Sequence, residues 1–242
     1  TITATFSANV TCTSSVTSTA PAACACAADI GTFTINMTGN SNVNYVLCFG
    51  DQITVTANGD YTPPDVANNP PGPTYDPGIA WLVYSCPPTV AVNPDPVNTV
   101  PSDPCFLGII DFNNFTDVND LSLLNGFPPG TFTNSTIYFV PLTMYSVVDG
   151  IYSYVNTSMP CYDMGTPISV TYLTNITHTE TQDCNAGTAT TTITGGLPAL
   201  NGSQFTAVAG SLTPASASFA NTTAANGGTI TIQGLVNGPF SF

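Results

Sequence analysis

The run Asp111-Phe112-Asn113-Asn114-Phe115-Thr116-Asp117-Val118-Asn119-Asp120 holds the densest set of side-chain oxygens in the chain. Asp111, Asn113, Asp117 and Asp120 offer carboxylate and amide oxygens, the donor class that Ca2+ takes. The order is not that of an EF-hand loop, which needs Gly at its sixth position and Glu at its twelfth. Turn-forming Asx residues give the same spacing for purely local reasons. Ca2+ held by these four residues and a set of Asx turns therefore both stand as readings. No other cofactor is implied.

Eight cysteines are the second candidate chemistry. An even count in a Thr- and Asn-rich chain points to disulfides and an oxidising compartment. Cys24-Ala25-Cys26 is CxC rather than CxxC, and no His adjoins any Cys, so disulfides are favoured over a metal cluster. Cys86 and Cys105 bracket a Pro-rich stretch and are expected to pair across it. Cys24, Cys26, Cys48 and Cys161 allow three pairings among themselves.

Catalytic constellations are harder to find. His178 is the sole His, and no GxSxG elbow accompanies it. Glu180 is the sole Glu, and nothing marks a carboxylate pair of the kind a glycosidase needs. No catalytic residue is assigned, and a non-enzymatic protein is expected. Eight sequons, at Asn9, Asn36, Asn114, Asn134, Asn156, Asn175, Asn201 and Asn221, are glycosylation candidates. Tyr61, Tyr75, Trp81, Tyr84, Tyr138, Tyr145, Tyr152 and Tyr154 have faces on which sugars can stack, although Trp81 lies in an apolar run and reads as core.

The elements that carry these residues read as strands. Phe33, Ile35 and Met37 alternate with Thr and Asn; Ile53, Val55 and Ala57 alternate with Thr; Ile168, Val170 and Tyr172 repeat the pattern, as do Ile230 and Ile232. Ile79–Tyr84 is apolar without a break and reads as a strand buried on both faces. Thr136–Tyr145 is a further β-rich run, which Pro141 assigns to a sheet edge or a bulge. Turn signals such as Asn58-Gly59-Asp60 and Asn226-Gly227-Gly228 separate the runs. Pro63–Pro77 and Pro87–Pro104 are expected to be long loops. The fold class expected is all-β, with tandem Ig-like β-sandwich modules and long Pro-rich loops.

Charge removes whole classes of function. The chain has no Lys or Arg against 14 Asp plus Glu, a formal charge of −14. Nothing can displace counterions from nucleic acid, clamp a phosphate, or be drawn to an anionic membrane surface. No run of about 18 apolar residues is present, so no inserted helix is expected. With 43% hydrophobic and 6% charged residues, a packed core is expected rather than disorder.

Composition shifts near Thr177–Thr181 towards Ala, Gly and Thr. The expected organisation is a strand and linker in 1–26, a larger sandwich in 27–178 and a smaller module in 179–242. If Phe242 is followed by another copy of Thr1, then Phe240, Phe242, Ile2, Ala4 and Phe6 fall on one strand face without a slip in phase. That continuity implies a segment cut from a tandem array, or a strand donated in trans. In either case residues 1–22 of one copy complete the smaller module of its neighbour, and Cys12 gains a partner in Cys184 of the preceding copy.

Three ordered segments carry a resemblance: Thr181-Gln182-Asp183-Cys184-Asn185-Ala186-Gly187, Ile193-Thr194-Gly195-Gly196-Leu197-Pro198, and Thr229–Phe240 with Gly234-Leu235-Val236-Asn237-Gly238. Together they resemble the SprB-like repeat of giant Bacteroidota surface adhesins. Cys48–Val55 is similar to the opening of another β-module of those proteins. The resemblance implies a type IX-secreted, extracellular, cell-surface filament or adhesin without catalytic residues. The family pattern ends in a second Cys, which Cys12 of an adjoining copy would supply. The function expected is a structural, adhesive repeat of a fibre whose partners are identical copies head to tail. A discrete pilin-like subunit polymerising by donor-strand exchange and a module binding surface glycans are the alternatives.

Overall fold

The computed structural model describes residues 2–5, 13–16, 27–38, 45–63, 75–88, 102–124, 126–128, 130–147, 162–197 and 203–242. These form sixteen strands: β1 (Ile2–Thr5), β2 (Thr13–Val16), β3 (Phe33–Thr38), β4 (Val46–Leu47), β5 (Gln52–Ala57), β6 (Tyr75–Tyr84), β7 (Phe106–Phe112), β8 (Asn114–Val118), β9 (Ser135–Val147), β10 (Ile168–Tyr172), β11 (Thr177–Asp183), β12 (Thr188–Thr194), β13 (Phe205–Thr206), β14 (Ser218–Phe219), β15 (Thr223–Ala224) and β16 (Thr229–Gln233). The protein is all-β.

Two sheets share one core. The first runs β3-β5-β8 and the second β4-β10-β9-β6-β7. Alternation dictates which side chains face inward. Ile35, Val55 and Phe115 form one rung across the small sheet, while Asn36, Thr54 and Thr116 form a rung on its outer face. Ile53, Val55 and Phe115 pack against Ile79, Trp81, Phe139 and Val170 of the larger sheet. Each such side chain stabilises by about 1.5–3 kcal/mol on burial.

The apolar run Ile79–Tyr84 is buried on both faces. Ile79, Trp81 and Val83 join the shared core, and Ala80, Leu82 and Tyr84 pack behind it with Val140, Leu142 and Met144. Strand β6 begins at Tyr75, so the loop expected over Pro63–Pro77 is already strand at its last three positions. The stretches 64–74 and 89–101 lie outside the described residues.

Pro141 corrects an expectation. Strand β9 is not an edge; it runs between β10 and β6, with Pro141 opposite Trp81. The reason is local. Pairing with β10 ends at Phe139, and the Pro141 carbonyl accepts from Gly165 N–H on that same side. In an antiparallel ladder a residue's N–H and C=O point the same way. The N–H that proline lacks therefore faces the side that β10 has already left, and the β6 ladder loses nothing.

Among the described residues the remaining strands pair only among themselves: β11-β12-β16-β14 in one sheet, β13-β15 in another, and β1-β2 in a third. Partners change between Tyr172 and Thr177, and β11 spans the 178/179 division drawn from composition. Gly195 and Gly196 tie this passage down. A Cβ on Gly195, at φ +83°, would lie 1.9 Å from Asn175 O, and Gly196 N–H donates to Thr174 O. Ser241 bridges Thr213, and the Phe242 ring meets Phe219 edge-on.

Candidate functional site

A chain without Lys or Arg cannot neutralise its carboxylates with those cations, and the structure shows what replaces them. Asp60 accepts Thr32 N–H and Oγ1–H at 2.9 and 2.8 Å; these bonds, the backbone one first, hold its pKa below the usual carboxylate value. Asp163 accepts Ile30 N–H at 2.8 Å across 133 residues of sequence. Asp103 accepts Cys105 N–H, and Asp183 accepts the N–H groups of Asn185 and Ala186. Hydroxyl pairs take the place of cross-strand ion pairs: Thr54–Thr116 at 3.0 Å, Thr136–Thr171 at 2.8 Å and Thr177–Thr194 at 2.6 Å.

The same use accounts for the candidate Ca2+ ligands. Asp111 lies in β7, and its side chain is outside the described residues. Asn113 Oδ1 accepts Ile79 N–H at 3.0 Å. Asp120 Oδ1 accepts both donors of Ser122. Asp117, only 3% exposed, accepts Leu124 N–H on one oxygen and Tyr172 O–H, at 2.7 Å, on the other. The Asn113, Asp117 and Asp120 oxygens accept from the protein's own donors, and no group of three or more His, Cys, Asp or Glu gathers among the described residues. Asp120 serves Ser122, two residues on, as an Asx turn does, whereas Asn113 and Asp117 serve donors 34 and 7 residues away.

Asp117 sets a pH dependence. Burial raises its pKa, against the Tyr172 and Leu124 bonds that lower it. Between the unfolded and the raised folded value the native state holds more protons, so this group costs stability as pH rises. Asp117→Asn keeps an acceptor for Leu124 and offers an amide donor to the Tyr172 hydroxyl. The variant is expected to match or exceed the wild type at pH 7 by about 1 kcal/mol. Its advantage should vanish in denaturant melts near pH 3. A wild type more stable than the variant at pH 7 would refute this account.

Asn119 carried no role in the sequence reading beyond its place in the acidic run. It is fully buried, and its Nδ2 donates to Leu47 O and Leu173 O, both at 2.9 Å. Asn221, a sequon, is also structural: it donates to Thr223 O and Thr229 O and accepts Thr231 N–H. A glycan on its Nδ2 would displace one of those bonds. Asn114 and Asn134 accept from Ala57 N–H and Thr174 N–H, and Asn36, Asn114 and Asn175 are exposed. Asn9, Asn156 and Asn201 lie outside the described residues. Trp81 and Tyr84 are buried and offer no face to a sugar; burial, with Asp103 nearby, pushes the Tyr84 hydroxyl up to about 12.

Cys86 and Cys105 form a disulfide, Cα–Cα 5.4 Å, joining the end of β6 to the start of β7. Cys48 is exposed beside Asp51, whose carboxylate accepts the Cys48 N–H. Cys12, Cys24, Cys26 and Cys161 lie outside the described residues. Cys184 is exposed and, among the described residues, in no disulfide. Cys184 lines a hollow of about 220 Å3 with Asp183, Leu235, Val236 and Phe240.

Strand β11 leads to that hollow. Among the described residues it is the outer strand of its sheet and pairs only with β12, and it is exposed at all seven positions, Thr177 to Asp183. His178 and Glu180 stand here, opposite Ile193 and Thr191. Edge strands are usually blunted by Lys, Pro, a bulge or great shortness. β11 has no Lys, Pro or bulge, and its register with β12 is unbroken over seven pairs; its one mid-strand charge is Glu180, in the rung of Thr191 and Ile230. One face of the sheet is a hydroxyl lattice, with rungs Thr179–Thr192–Thr229 and Thr181–Thr190–Thr231; the other holds Ala189, Ile193, Ile230 and Ile232.

Fold and edge together define an all-β protein with an open strand edge. No protein-family model, curated protein or solved structure matches the chain.

Proposed function

We propose that this chain is a structural, adhesive unit of an extracellular surface fibre built from identical copies arranged head to tail. The observation that carries the reading is the β11 edge. A seven-residue strand whose outer side pairs with no strand among the described residues is an acceptor for strand addition, the mode in which main-chain bonds join one chain to the next. The hairpin β1-β2, a two-stranded sheet by itself, supplies the complement, since such hairpins are at best marginal alone. Uncharged hydroxyl faces, carboxylates used as caps and the Cys86–Cys105 bridge suit a static extracellular material. The likeness of the last third to SprB-like repeats supports the same reading, with Ig-like modules in tandem.

Two forms of the fibre differ in mass. Covalent tandem copies run far above 25.0 kDa on a denaturing, reducing gel of the native material; separate pilin-like subunits run at 25.0 kDa. Filaments are expected by electron microscopy from either. A chain that stays monodisperse and monomeric at all concentrations would defeat the proposal.

A further inference from the structure

One strand that can meet the β11 edge is present in any solution of this protein: the β11 of a second copy. We infer that two copies, until a head-to-tail neighbour takes the edge, pair β11 with β11 antiparallel about a two-fold axis at Thr179, so that His178 of each stands opposite Glu180 of the other. The sheet then runs β14-β16-β12-β11-β11-β12-β16-β14 across the two copies. The inference needs the β11 edge and not the fibre, so either can fail without the other.

The main chain limits the registers. Ala220 N–H donates to Thr231 O, and Thr231 N–H donates to Asn221 Oδ1, so the main-chain groups of Thr231 face away from β12. Thr190, opposite Thr231, therefore turns its own groups to β11, and Thr181, opposite Thr190, turns its groups to β12. Alternation along β11 then leaves the N–H and C=O of His178, Glu180 and Gln182 on the outer side. A second β11 can bond only where outward groups meet outward groups. The two-fold axis must fall on a residue, not between two. Phase follows from that condition, because hydroxyl positions then meet hydroxyl positions.

Charge selects among the registers that remain. An axis at Glu180 sets the two Glu180 side chains opposite each other, a like pair that destabilises. An axis at His178 sets the two His178 opposite each other and Glu180 across from Ile176. An axis at Thr181 sets Glu180 across from Gln182 and Thr179 across from Asp183. An axis at Thr179 sets His178 opposite Glu180 on both sides of it, Thr177 opposite Thr181, and Thr179 opposite its own counterpart. His178 is the sole His of a chain without Lys or Arg, so no other side chain can meet Glu180 with a positive charge. Opposite charges directly across a strand pair stabilise it. On the other face the rung Thr229–Thr192–Thr179 meets its counterpart, and the hydroxyl lattice crosses the axis unbroken.

The contact is isologous and closes on itself, so it stops at a dimer. A β11 edge paired in this way is covered, and head-to-tail addition has to displace the partner first.

Sedimentation of the full-length protein at rising concentration tests the inference, with exposed thiols such as Cys48 and Cys184 alkylated beforehand. Wild type is expected to pass from monomer to dimer. His178→Glu sets Glu opposite Glu and should weaken the dimer at least about tenfold. Combining His178→Glu with Glu180→His restores opposite partners and should restore the dimer; both positions are exposed on the edge strand. The register has its own readout. At the axis, position 179 lies about 4.5 Å from its counterpart between Cα atoms, a span that a disulfide bridges. Thr179→Cys, left unalkylated and then oxidised, should give a dimer joined at position 179 by peptide mapping, whereas Thr181→Cys should not join at 181. A dimer indifferent to His178→Glu, an exchange that fails to restore it, or a cross-link at 181 in place of 179 would overturn the pairing. Filaments from a chain that shows no such dimer would overturn it and leave the fibre standing; dimers without filaments would do the reverse.

Discussion

Asn119→Asp is expected to destabilise the larger unit by about 4 kcal/mol, enough to unfold it in mild denaturant. Asn119 has no exposed surface, and its amide nitrogen donates to Leu47 O and Leu173 O, each at 2.9 Å. Its backbone adds two more ties: Asn119 N–H to Asp51 O, and Gly50 N–H to Asn119 O. One residue thus joins the end of β8 to β4, to the turn after it and to the residue after β10. Aspartate has the same shape but sets an oxygen against two carbonyl oxygens. No Lys or Arg exists in the chain to offset the charge. Protonation restores one donor, not two, so the loss should shrink as pH falls without disappearing. Asn119→Ala takes this donor from Leu173 O and from Leu47 O, which keeps the Leu173 N–H, and should cost less, about 2 kcal/mol. The native Oδ1 has no partner among the described residues, so the side chain is held for its donors. Denaturation followed by fluorescence of the single Trp measures both variants. If Asn119→Asp stays within about 1 kcal/mol of the wild type, the clamp is not a clamp.

The alternation that made the fold legible also contained the answer about Asp117, which the acidic run obscured. In β8, Asn114, Thr116 and Val118 face out while Phe115 and Asp117 face in. A carboxylate two residues from a core Phe, with a Val on the solvent side, is inverted polarity, and it signals a buried acceptor rather than a metal ligand. Side-chain oxygens look alike to a reader of composition; what separates them is which donor arrives. For Asp117 that donor comes from Tyr172, 55 residues away, and no local pattern announces it. Pairing at long range was equally hidden. The parallel contact of β4 with β10 joins Leu47 to Tyr172, and nothing near either residue encodes it. Pro141 misled because proline excludes a donor on one side of a strand, not a position in a sheet. The Cys86–Cys105 pairing was legible from spacing because the bridged loop is local, and a loop that short closes at small entropic cost.

Trp81→Ala should remove about 4 kcal/mol from the same unit, within the range for truncating a buried aromatic. Trp81 has no exposed surface and stands where the two sheets meet: its ring lies 4.9 Å from Phe33 and 5.1 Å from Phe115, both edge-on, and Phe115 stacks on Phe139. Two aromatic pairs, each worth about 0.5–1.5 kcal/mol beyond burial, go with the indole. So does the donor to Asn113 O, at the turn between β7 and β8. A domain is stable by only about 5–15 kcal/mol, so a large share is lost through this one side chain. Nothing comparable holds β11–β16, whose buried residues, among those described, are Ala189, Thr191, Ala224, Ile230 and Ile232. That unit draws its order from main-chain ladders and hydroxyl pairs, and it carries the open edge. Hydrogen exchange on Trp81→Ala should therefore show protection falling in β3, β5, β6 and β9 while the amides of β12 and β16 keep theirs. Parallel loss in β12 and β16 would mean that the two sets of sheets unfold as one, and that the edge is held by the core of its neighbour rather than by its own strands.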